Sequence, residues 1–553
     1  MDTDATLLEH CKKRLPSLKK LANDWLPIWR EVSDFLLPRR GKFLCVGTKG
    51  REKNGRINDG TGPLALRTFR SGMMGNATSP ARPWFKLGVE NTTLADNAAV
   101  RMWLDEVRKR MLTVFAKSNI YSVLHQAYEE IGAFGTLVII LEQDFEDVIR
   151  GTCLTVGEYY LAEDKRGVVD TLYREVKLTV AQIVGRWGKD KVSATIKDAF
   201  ANKQFDVEHL IVHAIEPNPD YIEGKAGPGG MKFRSVYYDP NDTDLTRVLS
   251  KKGYRRFPAL CARWDLTSGD VYGRSVGMEA LPDLRQLTQM EKRLAQALDK
   301  MVNPPMQGPV ELENRAVSGL PGAITYVTDT SKGGLTPIYE VDPKIQGFVG
   351  KMEEVRQRIK RWFHEDLFLM LANLEGVQPR NEMEIAERKD EKMLVLGPAY
   401  LRLQNELFSQ LIEYTFGTME DVGLMPDAPE EIRGQNVDVD YISPLALAQK
   451  SAGITGIERF ASFIGRVASV KPDALDKWDA DQSIDEYGDT MGISPKTIVS
   501  DERVGEIRAA RLAQQQAAQQ AAMAQQAAQG AKVLSETQVG GGVSALEQML
   551  GAA

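Results

Sequence analysis

The strongest candidate for catalysis is Ser275, which lies in Gly273-Arg274-Ser275-Val276-Gly277. This spacing matches the GxSxG elbow, in which a nucleophilic serine sits on a sharp turn between a strand and a helix. The reaction also needs an acid and a histidine further along the chain, and His364 is the only histidine after Ser275. His364 falls within a predicted long helix, which does not favour a catalytic partner for Ser275. The interpretation that we favour for Gly273–Gly277 is a loop that leads into the next helix. A serine hydrolase stays open as an alternative.

Sites for phosphate or metal are poorly supported. Gly50 and Gly55 have the glycine spacing of a phosphate loop, but Arg56-Ile57 follows where Lys and Ser or Thr are required. His209 and His213 stand four apart in a strand-like run, and His364 lacks the second histidine of an HExxH pair. No two cysteines lie near each other: they are Cys11, Cys45, Cys153 and Cys261. We therefore expect no metal, no cofactor and no nucleotide-driven motor.

Basic residues concentrate in one predicted helix and have two interpretations. They are Lys351, Arg356, Arg358, Lys360 and Arg361. The first interpretation is an ordinary solvated helix face, with Glu353 and Glu354 as partners. The second is a ring of positive charge that faces phosphates, which requires several copies of the chain around a tunnel. The sequence alone favours the first.

Composition limits the class of protein. The 553 residues carry a net charge of -6, with 43% hydrophobic and 26% charged residues. This is the balance of a soluble chain with several domains, and it argues against a protein that coats nucleic acid with a basic surface. It is compatible with DNA sliding past, since tight phosphate contacts would act as a brake. The longest aliphatic run, 137–141, is far too short to span a bilayer, and the polar, acidic start resembles no signal peptide. We expect a cytosolic protein or part of a particle assembled there.

The elements alternate between helical and strand-rich regions. Helix is predicted at 5–37, broken near Pro16 and Pro27, then at 60–78 and in two stretches within 95–132. From 136 to 258 the β-branched runs predict strands, including 136–141 and 208–215. Glycine, proline and polar residues predict exposed loops at 41–58 and 217–230.

Two long helices flank a proline-rich insertion. The first, within 276–302, carries an apolar stripe: Leu287, Met290, Leu294, Ala297 and Met301. The insertion, 303–343, predicts short strands at 323–327 and 336–341. The second helix, 344–370, repeats the stripe with Ile345, Phe348, Met352, Val355, Ile359 and Trp362. Another of its faces carries Lys351, Glu354, Arg358 and Arg361. The two helices therefore predict a hairpin with a small module at its tip.

The C-terminal third is predicted to be helical. A loop at 372–381 precedes a long helix at 382–418 with a kink at Gly397-Pro398. Shorter helices are expected within 444–510, and the Ala- and Gln-rich segment 509–529 strongly favours helix. The glycine-rich tail near 540–542 is expected to be mobile.

Several motifs resemble one known family. They are 25-WLPIWREVSDFLLPRRGKF-43, 58-NDGTGPLALRTFRSGMMGNATSPARPWFKLGVE-90, 272-YGRSVGMEALPDLRQL-287, 303-NPP-305 and 382-EMEIAERKDEKMLVLGPAYLRLQNELFSQLIEYTFGTMEDVG-423. In this order they resemble the portal, or head-to-tail connector, family of short-tailed bacteriophages. The resemblance covers residues 20–425 and also accounts for the GxSxG match without catalysis.

The resemblance implies a mainly helical α+β portal fold and no enzyme activity. It implies a wing at 1–275 with a strand-rich part near 136–258, stem helices at 276–302 and 344–370, and a small α/β clip at 303–343. A tunnel loop at 371–381, a long wing helix at 382–430, a crown at 431–502 and a barrel helix with a flexible tail at 503–553 follow. Another ring component of the phage neck, a tail adaptor, is the second alternative; it lacks such an insertion.

The resemblance also implies partners and a location. The expected assembly is a ring of about twelve copies at one capsid vertex, through which double-stranded DNA enters and leaves. The partners would be the terminase large subunit, tail adaptors, capsid and scaffolding proteins, with no membrane. The expected location is the virion, and the host cytoplasm during assembly. Candidate tunnel residues are Lys351, Arg358, Arg361, Asn373, Glu375, Gln378 and Arg380.

Overall fold

The computed structural model describes residues 4–38, 40, 56–89, 94, 97–244, 246–302, 306–307, 336–337, 345–369, 396–432, 437–443, 446, 460–491, 497, 499 and 501–536. Its labelled helices are Asp4–Asn23 (α1), Leu26–Leu36 (α2), Thr61–Ala77 (α3), Ala98–Lys117 (α4), Ile120–Phe134 (α5), Val180–Trp187 (α6), Ala194–Ala201 (α7), Val276–Val302 (α8), Ile345–Trp362 (α9), Glu365–Phe368 (α10), Gly397–Leu403 (α11), Ser409–Asp421 (α12), Ala480–Met491 (α13) and Asp501–Glu536 (α14). A π-helical turn, Gln404–Phe408, joins α11 to α12.

The strands form four sheets, and pairing is antiparallel in the three-stranded sheet, the five-stranded sheet and the β10-β11 pair. They are Phe85–Val89 (β1), Thr136–Asp144 (β2), Val148–Leu154 (β3), Tyr159–Glu163 (β4), Val169–Thr179 (β5), Glu208–Pro217 (β6), Phe233–Tyr238 (β7), Ser250–Tyr254 (β8), Ala259–Arg263 (β9), Met306–Gln307 (β10), Thr336–Pro337 (β11) and Val437–Tyr441 (β12). The sheet orders are β3-β2-β9, β4-β5-β6-β7-β8, β1-β12 and β10-β11. The predicted mainly helical α+β class is therefore confirmed.

The chain divides into two compact units. The first comprises Met1–Phe85, Val107–Pro426 and Tyr441–Ser451, and the second comprises Lys86–Glu106, Asp427–Asp440 and Ala452–Ala553. The first unit contains both larger sheets and the helical hairpin. The second contains α13 and α14, which Asp481 and Arg508 join by an ion pair of 2.7 Å.

The five-stranded sheet is covered on both faces. On one face α1 packs Leu7, Leu8, Leu15 and Leu18 against Val212, Val236 and Tyr238 of the sheet. On the other, α6 and α7 bury Ile183 and Ile196 against Ile211. The alternation of side chains along β6 and β7 supplies an apolar residue to each face in turn. The predicted strand-rich region at 136–258 is confirmed, with α6 and α7 inserted between its strands.

Three helices of the first unit, α2, α5 and α8, pack closely against one another at Gly277. A side-chain carbon at Gly277, on α8, would lie 2.8 Å from Leu36 Cδ1 and 3.0 Å from the carbonyl oxygens of Gly132 and Ala133. Gly135, with φ of +80°, ends α5 and lets β2 begin beside Gly273, whose carbonyl oxygen would lie 2.2 Å from an added carbon. This contact fixes the start of α8 against α2 and α5.

Proline gives one wrong prediction and one correct one. Pro27 lies in the first turn of α2, where its missing N–H costs nothing, and the chain breaks just before it. Pro16 lies inside α1, so the predicted break there is wrong. A proline in a helix interior costs about 3 kcal/mol. Here Leu15 and Leu18 are buried against the sheet, and that packing keeps the helix continuous.

The two hairpin helices differ in how well they match the prediction. The helix expected at 276–302 is present as Val276–Val302 and contains Pro282. The helix expected at 344–370 begins at Ile345 but ends at Trp362, because His364 takes a left-handed conformation with φ of +52° before the short α10. The predicted C-terminal end is therefore wrong.

Some predictions fall outside the described residues. These are most of the insertion at 303–343, of which β10 and β11 pair Met306 with Pro337, and the loop at 371–381. They also include the strand at 323–327, the first half of the helix at 382–418, and the tail after 536. The described part of that long helix begins at Gly397, the site of the predicted kink. The C-terminal helix is confirmed and runs from Asp501 to Glu536.

Candidate functional site

The candidate site is the antiparallel hairpin of α8 and α9. Near its base, Leu281, Leu284 and Leu287 of α8 are buried, as are Met352, Val355 and Ile359 of α9. Toward the tip of the hairpin, at the C-terminal end of α8, apolar side chains are exposed to solvent: Met301 is 44% and Val302 86% exposed. The hairpin is thus anchored firmly at its base and presents apolar surface further out.

One residue of the predicted apolar stripe faces the other way. Trp362 is 40% exposed, and its indole Nε1 donates a hydrogen bond of 3.1 Å to Asp283 Oδ2. The buried position belongs instead to Phe363, which packs edge-on against Phe69. The helix ends at Trp362, so the 3-4 spacing no longer predicts which side chain points inward.

A carboxylate on α8 holds α9 in register. Arg358 donates to Asp283 Oδ1 from Nε at 3.2 Å and from Nη2 at 2.8 Å, and Nη2 also reaches Gln286. The Asp283 carboxylate raises the pKa of Arg358. With Trp362 on its second oxygen, Asp283 binds two side chains of the facing helix. We call Asp283, Arg358 and Trp362 the hairpin clamp.

A second arginine ties the hairpin to the rest of the unit. Arg356 donates to Asp59, just before α3, at 3.0 Å from Nε, and also contacts Glu291 of α8. Although burial raises the pKa of Asp59, hydrogen bonds from Thr61 and Arg356 hold it below its usual range. Arg356 is therefore a structural ion pair partner rather than a free cation.

The predicted tunnel cations divide into paired and unpaired residues. Lys351 is exposed and pairs with Glu354 one turn along the same helix. Arg358 is engaged in the hairpin clamp. Arg361 is exposed and makes no ion pair with any residue that the structure describes. The four loop residues, Asn373, Glu375, Gln378 and Arg380, lie outside the described residues.

The surface around Arg361 is concave and nearly neutral. A cleft of about 570 Å³ is lined by the three residues of the hairpin clamp and by Trp264, Glu279, Arg361 and Asp366. Residues 345–369 carry five basic and four acidic side chains, and 276–302 carry four of each. Such a surface offers phosphates isolated positive charges and no broad basic field.

Ser275 has a structural role. Its Oγ donates to the Ala133 carbonyl at 2.7 Å and accepts from the Met278 N–H at 2.9 Å, which caps the start of α8. The side chain is buried, so substrate has no access to it. The GxSxG match therefore has a structural origin. Ser275 caps the helix, and close packing requires glycine on either side of it, at Gly273 and Gly277. The hydrolase alternative is wrong.

Of the two histidines four apart, His213 is satisfied locally, whereas the buried Nε2 of His209 has no hydrogen-bond partner in the part of the chain that the structure describes. His213 is buried, accepts from Arg174 Nε at 3.1 Å, and lies 2.9 Å from Ser235 Oγ. Within the described residues, no group of three His, Cys, Asp or Glu side chains is arranged to hold a metal ion. None of the described helices is long and apolar enough to cross a bilayer. Gly50 and Gly55 are among the residues not described.

Sequence reasoning missed Asp59, Asp283 and Arg356 as positioning residues. Asp283 follows Pro282 at the edge of the apolar stripe, a weak signal of a charge directed at a neighbouring helix. Its partner is 75 residues away in the sequence. Pairing them requires the register of α8 against α9, which the intervening insertion conceals.

Comparison with known proteins gives consistent results. Residues 8–499 match the family described as bacteriophage head to tail connecting protein. A protein of Bordetella phage BPP-1 named "Probable portal protein" is 44% identical over 524 residues, covering 94% of each chain. The "Portal protein" of Salmonella phage epsilon15 is 40% identical over 533 residues, covering 96% of each.

Solved structures give weaker likenesses. A chain from the neck of an empty gene transfer agent particle shows 12% identity and a TM-score of 0.37, covering 74% of this chain and 87% of that one. A chain from a native gene transfer agent virion shows 12% identity and a TM-score of 0.34, covering 80% and 94%. These scores carry no conclusion.

Proposed function

Because the chain belongs to the bacteriophage head-to-tail connecting family, it has a portal function and no enzymatic one, and we propose that it acts as a closed ring of about twelve copies at one capsid vertex. The ring would be the conduit for double-stranded DNA during packaging and ejection. It would be part of the virion and would assemble in the host cytoplasm.

The observation that carries this proposal is the uncovered end of the hairpin. Leu298, Met301 and Val302 of α8 and Val349 of α9 are all more than 40% exposed in a single chain. Apolar surface of this kind is buried by association. In a cyclic ring each copy contacts its neighbours through two different surfaces, so hairpins standing side by side would cover it. We infer that α8 and α9 are the stem, and residues 303–343 the clip.

Native mass spectrometry of the purified full-length chain tests the proposal. We expect one large species whose mass is a whole multiple of the chain mass, near twelve, across a wide range of protein concentration. Closed rings resist dilution because every copy keeps both contacts. A monomer that persists at all concentrations would contradict the proposal.

The tunnel would guide DNA without gripping it. Arg361, repeated around a ring, would offer phosphates one unpaired cation per copy, and Lys351 a cation already shared with Glu354. Phosphate contacts of this kind carry no sequence information, which suits a conduit for any sequence. The residues Asn373, Glu375, Gln378 and Arg380 would form the narrowest part. Arg358 is withdrawn from the set, because its guanidinium holds Asp283.

The remaining segments would serve docking and internal organisation. The clip lies between the ends of α8 and α9, so it would contact the terminase large subunit during packaging and the tail adaptors afterwards. Residues 1–275 and 382–430 would form the wing, in contact with capsid and scaffolding proteins. Residues 431–502 would form the crown. Cross-linking in terminase-bound particles should join 303–343 to terminase, and cross-links from elsewhere would contradict this assignment.

The C-terminal helix would need neighbouring copies to be stable. Side chains are exposed along the described part of α14, including Ile507, Leu512, Met523 and Val533. In proteins most of the stability of a helix comes from packing one of its faces against other elements, rather than from helix propensity alone. In a ring, small alanine side chains would let adjacent α14 helices approach closely and form a tube around the DNA path.

A further inference from the structure

One exposed aromatic residue has no role in the fold of the single chain. Phe145 lies at the tip of the β2-β3 hairpin, where Asp144 pairs with Val148, and its side chain is completely exposed. It touches no core and covers no other apolar group. An isolated surface leucine is ordinary, but a wholly exposed phenylalanine on a hairpin tip is surface available for binding.

The tip is held in a fixed conformation. The Asp144 Oδ1 accepts from the Glu146 N–H at 2.8 Å and the Asp147 N–H at 3.0 Å. Val148 takes the left-handed conformation, with φ of +72°, at a position where hairpin loops of this length prefer glycine. This backbone conformation is sterically strained for a β-branched residue, and it is retained only where the surrounding structure enforces it. The backbone that carries Phe145 is therefore ordered by these bonds, so binding at the tip would cost little backbone entropy.

The tip is acidic. Asp144, Glu146 and Asp147 surround Phe145, and Arg150, 3.8 Å from Asp147, is close enough to both Asp147 and Asp144 to offset part of this charge. A fitting partner surface must combine an apolar contact with positive charge. Carboxylates on that surface would repel the tip.

The exposed side of α3 has these properties. Leu64 is 58% exposed, and Arg67 and Ser71 lie beside it at helical spacing, also exposed. The whole helix, Thr61–Ala77, contains no Asp or Glu. Arg67 makes no ion pair with any described residue. We call Leu64, Arg67 and Ser71 the α3 outer face.

The tip and the α3 outer face lie at opposite ends of β2. Gly132, four residues before the start of β2, contacts Leu66 and Phe69 of α3. The Trp264 N–H bonds to the Gly135 carbonyl at 2.9 Å, and Trp264 packs on Phe69 at 5.3 Å. From Thr136 to Asp144 the strand extends about 27 Å, at roughly 3.4 Å per residue. One copy therefore cannot bring its own tip to its own α3 outer face.

We propose that Phe145 of one copy docks on the α3 outer face of the next copy around the ring. Such a pair of different, complementary surfaces at two ends of one chain is what a cyclic ring of more than two copies requires. The apolar contact joins Phe145 to Leu64, and Glu146 pairs with Arg67. The inference rests on the proposed ring and names one of its contacts.

Photo-cross-linking on the full-length ring tests the inference. Phe145 is replaced by the photoreactive aromatic p-benzoylphenylalanine, and rings confirmed by native mass spectrometry are irradiated. We expect covalent dimers and higher oligomers whose cross-linked peptides map to 61–77. The same residue placed at Ile222, another exposed apolar position, should give no cross-link to 61–77.

Charge reversal gives a second, independent readout. Glu146→Arg and Arg67→Glu should each lower the fraction of chain in rings several-fold at a fixed low concentration, and the double variant should restore it. Intact rings whose cross-links from position 145 map elsewhere, or are absent, would overturn this contact and leave the ring itself standing. A wild-type chain that forms no ring would overturn the proposed function and this contact together.

Discussion

At the scale of single residues, the three arginines of α9 have different roles, although they are the same residue type within one short segment. Arg356 and Arg358 bind carboxylates of Asp59, Asp283 and Glu291 and so fix the position of the helix. Arg361 has no such partner among the described residues. The difference follows from the direction in which each side chain leaves the helix, and it decides what each substitution should do.

Two alanine variants separate these roles. Arg358→Ala removes the forked contact to Asp283 and should lower the free energy of unfolding by about 1 kcal/mol, since the pair is partly exposed to solvent. Arg361→Ala should leave it unchanged within about 0.5 kcal/mol but alter the amount of DNA retained in filled particles. Urea unfolding and DNA content of particles are the measurements. Equal destabilisation by both variants would contradict the assignment.

A buried carboxyl group makes stability depend on pH. Glu130 of α5 is fully buried, accepts from Thr155 Oγ1 at 3.1 Å and lies 3.3 Å from Arg40. Burial raises the pKa of Glu130 to about 8, and Arg40 offsets only part of that effect. Between the unfolded pKa, near 4.5, and about 8, the unfolded chain loses this proton while the folded chain keeps it. The stabilisation present at low pH is therefore lost as pH rises.

Glu130→Gln keeps the shape of the side chain and removes the titration. The wild-type chain should lose stability relative to this variant by up to about 1.4 kcal/mol per pH unit between pH 5 and 8. Urea unfolding of both proteins at pH 5, 6.5 and 8 measures the difference. Parallel stability curves would show that Glu130 is ionised in the folded chain.

At this scale the sequence predicted the composition of the surface but not the partners. The spacing of Lys351, Arg358 and Arg361 correctly placed them away from Met352, Val355 and Ile359, which are buried. It assigned Arg358 to the tunnel because Asp283 is remote in sequence. The sequence predicted that Trp362 belongs to the apolar stripe, but Phe363 is the buried residue, because helical spacing no longer applies where the helix ends.

At the scale of elements, close contact at glycines determines how α8 leaves the unit. Gly277 lies against Leu36 and two carbonyl oxygens of α5, and no side chain fits there. The sequence placed helices on both sides of this point but could not show that they cross at Gly277. Helix periodicity reports the buried face, whereas a crossing point depends on three segments that are distant in the chain.

A pair of glycine substitutions tests this contact. Gly277→Ala should lower the free energy of unfolding by about 1–3 kcal/mol, because the new methyl group would lie 2.8 Å from Leu36 Cδ1 and 3.0 Å from two backbone carbonyl oxygens. Gly350→Ala in α9 meets no atom within 4 Å and should raise it by about 0.5–1 kcal/mol, as alanine favours helix. Thermal or urea unfolding distinguishes them. A neutral Gly277→Ala would mean that α8 is not held against α2 and α5 as described.

Element prediction succeeded where local pattern decides structure and failed where packing overrides it. The strands at 136–144 and 208–217 and the helices at 61–77 and 276–302 agree with their periodicity. The helix α1 continues through Pro16 because the sheet beneath it buries Leu15 and Leu18. The left-handed turn at His364, which ends α9 early, has no signal in the sequence.

At the scale of the whole molecule, the chain has surfaces that one copy leaves uncovered. They are the apolar end of the hairpin, Phe145 with the α3 outer face, and the exposed length of α14. The sequence motifs indicated the family, and the comparisons establish it. The number of copies depends on angles between copies, which a single chain does not contain.

Electron microscopy of the purified full-length chain tests the central claim most directly. We predict end-on views of a closed ring with an open central channel, and a reconstruction in which α8 and α9 line the channel with Arg361 facing it. An assembly without a central channel, or a ring in which the hairpin lies on the outer surface, would contradict the account.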